Sequence, residues 1–113
     1  GTLGWTLPTI PRYANFTSLT ATNITDVGFT ANFSVDATCD QYAISTDNGS
    51  TYGAWVNGDF TSRSIAVGGN LPSDTAIQWR VKVRRKDSQL ETTSGTQTAT
   101  TLSQSNFAVW SII

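Results

Sequence analysis

The side chains of this chain that could do chemistry fall in three short groups. In Ser45-Thr46-Asp47-Asn48-Gly49-Ser50-Thr51-Tyr52, an aspartate heads a tight turn, a glycine follows two positions later, and a hydroxyl and an aromatic close it. Aspartate in such a place accepts backbone N–H groups, and glycine supplies positive φ, so the logic of the stretch is local. The second group is basic: five of the seven Lys and Arg residues lie between Arg80 and Lys86. Strand alternation puts Arg80, Lys82 and Arg84 on one face, where they could bind a phosphate-rich ligand such as a wall polymer, a cell-surface polysaccharide, through counterion release. A charged row also keeps a sheet face or edge soluble, and this reading is preferred because the eight acids are scattered among the other segments. The third group is aromatic. Tyr52 and Trp55, with Trp5, Tyr13, Phe60 and Trp110, stand outside any clear alternation and could stack on saccharide or anchor a partner, the partner being favoured.

Catalysis finds little to work with. Histidine is absent and Cys39 is the single cysteine, which removes the commonest general base, the commonest zinc ligands and any internal disulfide. Cys39 reads as a small residue at a strand start. Asp36, Asp40 and Asp47 lack metal-ligand spacing. We therefore expect no enzyme, no cofactor and no metal. A net charge of −1 suggests no nucleic-acid partner, and no apolar run reaches the roughly 18 residues of a membrane span, so membrane insertion is not expected. Sequons at Asn15, Asn23, Asn32 and Asn48 read as incidental in a chain with 19 Thr and 12 Ser. With no methionine, Gly1 reads as lying inside a longer or processed chain.

The elements that must position these groups are strands. At 113 residues one domain is expected, and 13% charged residues with so much Thr and Val favour β structure. Residues 1–14 read as a connector or terminal strand, 15–102 as the domain, and 103–113 as an apolar extension. Leu19 and Ala21 mark a first strand, and Asn23 to Gly28 a turn. Val27, Phe29, Ala31, Phe33 and Val35 alternate with polar residues on a second. Tyr42, Ile44 and Thr46 mark a third, Tyr52 to Phe60 a weak edge strand, and Ile65 and Val67 a fifth. Ile77, Trp79, Val81 and Val83 share one face of the clearest strand, and Thr93 to Leu102 forms the last. Turn signals every eight to twelve residues suit a β-sandwich.

Several strings carry a resemblance. SLTATNITDVGFTANFSV, DQYAISTDNG, SIAVGGNLPSDTAIQWRVKVRRKDS and TSGTQTATTL together resemble a fibronectin type III module over residues 15–102. Phe33 stands where that family usually has a tryptophan, Leu71-Pro72-x-x-Thr75 resembles its corner, Val81 matches its buried valine, and the corner tyrosine expected near Ile77 is missing. The resemblance implies a seven-stranded all-β sandwich of fibronectin type III or immunoglobulin-like type. TLPTIPRYA, ahead of it, resembles the segment preceding such modules in minor structural and tail proteins of tailed phages. The stretch from Ser45 to Tyr52 resembles an Asp box (S-x-D-x-G-x-T-W), here read as a hairpin clip and not as sialidase-like chemistry.

These resemblances imply a spacer, adhesion or display module on an extracellular or virion surface, with neighbouring subunits or modules of the same assembly as partners. A filament subunit that polymerises by terminal strand addition is the alternative, and a carbohydrate-binding module a third reading. Trp5, Leu7 and Ile10 at one end, and Phe107, Val109, Trp110 and Ile112 at the other, are the candidate assembly contacts, since such apolar runs are unfavourable in water.

Overall fold

The computed structural model describes residues 12–104. The described residues form six strands and no helix: β1 (Phe16–Thr22), β2 (Gly28–Ser45), β3 (Val56–Gly68), β4 (Ala76–Arg85), β5 (Glu91–Thr93) and β6 (Gln97–Thr100). All pairings are antiparallel. The all-β expectation holds, and the count of seven strands does not. The second and third expected strands are one continuous 18-residue strand, β2. The expected segments around Tyr52–Phe60 and Ile65–Val67 merge into β3, which starts only at Val56. Thr93 to Leu102 is interrupted at Ser94, Gly95 and Thr96, giving β5 and β6.

β2 organises the sheet. β3 follows one of its edges from Gly28↔Gly68 to Tyr42↔Val56. On the other edge β1 pairs with the first half (Leu19↔Phe33, Thr22↔Thr30), and β4 with the second (Tyr42↔Val83, Ser45↔Arg80). The register shifts on both edges between Ser34 and Gln41, so the strand turns there: the inward set that runs through Val35, Ala37 and Cys39 changes phase at Asp40 and Gln41 and resumes at Tyr42. Asp36 anchors that bend: its backbone N–H donates to Asn15 O (3.0 Å), and its carboxylate accepts the Asn15 backbone N–H (2.8 Å) and Nδ2 (3.1 Å). These bonds, the backbone one first, hold the Asp36 carboxyl below its usual range.

The bend brings the inner face of the sheet against itself. Phe29 and Phe33 from the first half of β2 meet Trp79 (ring centroids 5.5 Å apart) and Tyr42 (5.6 Å) from the second half and its neighbour, and Phe60 packs edge-on against Phe33 and Tyr42. Ala31, Val35, Cys39, Ile77, Val81, Val83 and Ala99 complete the buried cluster, with Ala14 sealed in beside them. Phe60 is thus core, not the exposed aromatic suggested by its position outside the alternation. Val27 is the converse, 39% exposed although it shares the period of Phe29 and Ala31, because it precedes β2 and lies in the turn. At that end Gly28 and Gly68 pair so closely that a Cβ on Gly28 would lie 2.5 Å from Val67 O, which excludes any side chain there.

Hydroxyls complete the ladder where backbone groups fall short. In the β5–β6 interruption, buried Ser94 donates its N–H to Val81 O (2.8 Å) and accepts the Val81 N–H on Oγ (3.0 Å). Thr101, also buried, accepts the Thr75 N–H (3.0 Å) and donates to Pro72 O (2.7 Å), clasping the corner that lacks a tyrosine. Beyond it, Leu102 donates to Thr25 O (2.9 Å) and accepts from Asp74 N–H (2.9 Å).

Trp79 is fully buried and its indole N–H has no partner among the described residues. Trp79→Ala should therefore cost about 3–5 kcal/mol in urea unfolding, and Trp79→Phe distinctly less, since no hydrogen bond is lost. Ser94→Ala strands the buried Val81 N–H and should cost about 1–3 kcal/mol in the same measurement.

Candidate functional site

The loop from Thr46 to Trp55 folds back over the outer face of the sheet because a hydroxyl–carboxylate knot closes it. Ser45 Oγ donates to Asp47 Oδ1 (2.6 Å) and accepts the Gly49 N–H (2.8 Å). Asp47 Oδ1 also accepts the Thr51 N–H (2.9 Å), and Oδ2 accepts the Thr51 hydroxyl (2.5 Å). Asn48 and Gly49 are both left-handed (φ 60° and 88°), the reason that this turn takes an Asn-Gly pair. A Cβ on Gly49 would meet Arg80 Cδ at 3.2 Å and the Tyr52 hydroxyl at 3.4 Å. Asn48 N–H donates to Gln78 O (2.9 Å), and Gly53 N–H to Ile44 O (3.0 Å), tying both limbs to the sheet.

Tyr52 and Trp55 are thereby laid over β4. The Lys82 ammonium sits 4.5 Å from the Tyr52 ring centroid and 4.9 Å from that of Trp55, a cation between two π systems. Ala43 and Ser45, cross-strand partners of Lys82 and Arg80, belong to this outer face yet are only 2% and 1% exposed, because the loop covers them. Arg80 donates from Nε to Asn48 Oδ1 (3.2 Å), and the Thr96 hydroxyl donates to the same oxygen (2.6 Å). Arg84, last in the basic row, is turned aside: it binds Asp40 through Nε (3.0 Å) and Nη2 (3.1 Å). That fork, with Gln89 adding a bond, holds the Asp40 carboxyl low and the Arg84 guanidinium high.

Four of the five residues singled out for saccharide or partner contact, Tyr52, Trp55, Arg80 and Lys82, thus lie in one patch, and Arg84 lies beyond it in an ion pair. Asn48 and Thr96 join the patch without having been singled out; the signal for Asn48 was its place in the Asp-Asn-Gly turn, and Thr96 had none. Arg85 pairs with Asp87 (2.7 Å) and Lys86 with Asp59 at the opposite end, in an open groove where Asp36 is bonded to Asn15. Tyr13 is 49% exposed. Trp5, Leu7, Ile10, Phe107, Val109, Trp110 and Ile112 lie outside the described residues.

Ser45 and Thr51 both donate to a carboxylate held down to about 2 by the Ser45 bond first and the Thr51 bonds next, so Asp47 is a weak base, and Ser45 is buried beneath the loop. Cys39 lies mid-strand and not at a strand start. It is fully buried, and burial, with Asp40 nearby, pushes its thiol up to about 11, which makes it inert. No three potential metal ligands converge among the described residues. The amide nitrogens of the sequon residues Asn15, Asn23 and Asn32 are each bonded, to Asp36, Thr30 and Thr22.

The knot gives stability a pH dependence of known sign. Asp47 has its folded pKa lowered from 3.8 to about 2, so its contribution is complete above about pH 4 and is lost as pH falls toward 2. The gap in unfolding midpoint between the native chain and Asp47→Asn should shrink over that window and stay constant above it, whereas Asp36, Asp40 and Asp87, shifted in the same direction, act equally in both proteins.

Comparison with protein-family models, with curated proteins and with solved structures finds no match for this chain, so its functional reading rests on fold and side-chain geometry.

Proposed function

We propose that the chain is a non-enzymatic spacer, adhesion or display module of fibronectin type III or immunoglobulin-like type, working in an extracellular or virion-surface assembly. The pairing pattern supports the sandwich. On this reading β1, the first half of β2 and the second half of β3, which pair with one another, would form one layer, and the start of β3, the second half of β2, β4 and β5–β6 the other. This matches the division of strands in immunoglobulin-like sandwiches, with the inter-layer connections here drawn straight through as continuous strands. The observation that carries the reading is the aromatic contact of the first half of β2 with its second half and β4, Phe33 on Tyr42 and Phe29 on Trp79. Function on such a scaffold belongs to what its surface presents, and on the outer face of β4 two cations without an ion-pair partner among the described residues, Arg80 and Lys82, converge with Tyr52 and Trp55.

A filament subunit is the second reading. It draws on β3, which pairs with no described strand except β2 and so leaves the outer edge of Val56–Gly68 open to strand addition. Size-exclusion chromatography with light scattering separates the two. A 12.1 kDa monomer across the concentration range is the result expected of a spacer module. Polymers that dissolve when residues 103–113 are deleted would overturn it in favour of the filament.

A further inference from the structure

We propose that the outer face of β4 around Lys82 binds an acidic saccharide, a sugar ring bearing a carboxylate or a phosphate, with Tyr52 and Trp55 against its apolar C–H face. The inference rests on the module reading, to which it adds a ligand class.

The charges on this face do not balance internally. Arg84, Arg85 and Lys86 each have a carboxylate partner, but Lys82 has none among the described residues. Its two aromatic neighbours stabilise the cation and accept none of its three N–H donors in the ordinary sense. Arg80, two residues along the same face and so about 7 Å away, gives only its Nε to protein, and the Asn48 oxygen that receives it is shared with Thr96. The Asn48 amide nitrogen and the terminal nitrogens of Arg80 have no bonds of their own to described side chains, so donors are gathered at Lys82, Arg80 and Asn48. Of the acids around it, Asp47 is taken up by Ser45 and Thr51, and Glu91 stands opposite Arg84, the residue beyond the patch.

A site with a positive centre and flat apolar walls selects a ligand that is itself two-sided. An acidic sugar offers an anion for Lys82 and Arg80, and a C–H face for the rings. Two unpaired cations are too few for strong attraction to a nucleic-acid backbone, whose affinity scales with the number of neutralised phosphates. The walls are also held in place beforehand, because the Asp47 knot fixes the loop carrying Tyr52 and the Gly53 bond to Ile44 fixes the approach to Trp55. Little ordering cost is then left for binding.

The test titrates the full chain, followed by calorimetry and amide NMR, with trigalacturonate, glucose 6-phosphate, neutral maltotriose and sugar-free tripolyphosphate. One or both acidic sugars should bind with Kd on the order of 1 mM, and should shift resonances of residues 46–55 and 80–84. Which of them binds identifies carboxylate or phosphate as the anion. Lys82→Gln should weaken binding about tenfold and Trp55→Ala about fivefold, with Trp55→Phe closer to the native chain. Added salt should weaken it further. Thermal midpoints confirm that each variant is folded, and Trp55→Phe keeps the ring requirement testable if Trp55→Ala is not. The proposal is overturned if the folded chain binds neither acidic sugar at about 10 mM, if maltotriose binds as well as trigalacturonate, or if tripolyphosphate binds equally and loss of the Trp55 ring changes nothing. Any of these removes the ligand while leaving the module reading to its own hydrodynamic test.

Discussion

A single strand that must serve two sets of neighbours is the constraint on which this structure depends. β2 is hydrogen-bonded to β3 for most of its length but exchanges β1 for β4 at its midpoint. That exchange is feasible only if the strand bends, and the bend is what turns one face of a curled sheet into an enclosed core. The irregularity between Cys39 and Tyr42 supplies it, and the outward-facing Asp36, Thr38 and Asp40 hold it, their polar atoms finding partners in Asn15, the Lys86 N–H and Arg84. Cys39, the one residue of this stretch without solvent contact, faces the core and is flanked by both β3 and β4.

Hydroxyl groups do much of the work that longer polar side chains do elsewhere. Thr25 closes the first turn by accepting the N–H groups of Val27 (3.2 Å) and Gly28 (3.0 Å). Ser45 and Thr51 bracket the Asp47 knot, Ser94 bridges the interruption in the last strand, and Thr101 clasps the corner. Short hydroxyls can stand in for a backbone group without claiming the space of a longer side chain, which is why a chain so rich in Ser and Thr can keep a small core tightly enclosed.

Much of this was legible in the sequence, for specific reasons. Period-2 alternation identified Phe29, Ala31, Phe33 and Val35, and again Ile77, Trp79, Val81 and Val83, as inward-facing, and all eight are buried. The Asp-Asn-Gly turn announced its own hydrogen bonds. The continuity of β2 and β3 was hidden because the change of phase at Asp40–Gln41, and Gly58 with its φ of 139°, look the same whether the chain turns back or merely bends. The interruption at Ser94 was hidden because a hydroxyl replacing a carbonyl leaves no compositional trace. At the candidate site, alternation placed Arg80, Lys82 and Arg84 on one face, but only the path of the loop could show that Tyr52 and Trp55 close around Lys82 while Arg84 leaves for Asp40.

The places where the described chain is tied at its two ends have a mechanical meaning. Asn15 is fastened to Asp36 at the bend, and Leu102 to Thr25 and Asp74 at the other end of β1, so the two points are separated by the length of a seven-residue strand, about 23 Å. Tension applied at these points runs along β1, parallel to its pairing with β2. Because antiparallel hydrogen bonds lie perpendicular to the strands, such a load shears the contacts from Phe16↔Val35 to Thr22↔Thr30 together, rather than peeling them one by one. A unit held in this way resists pulling along its axis far better than prying at its edge.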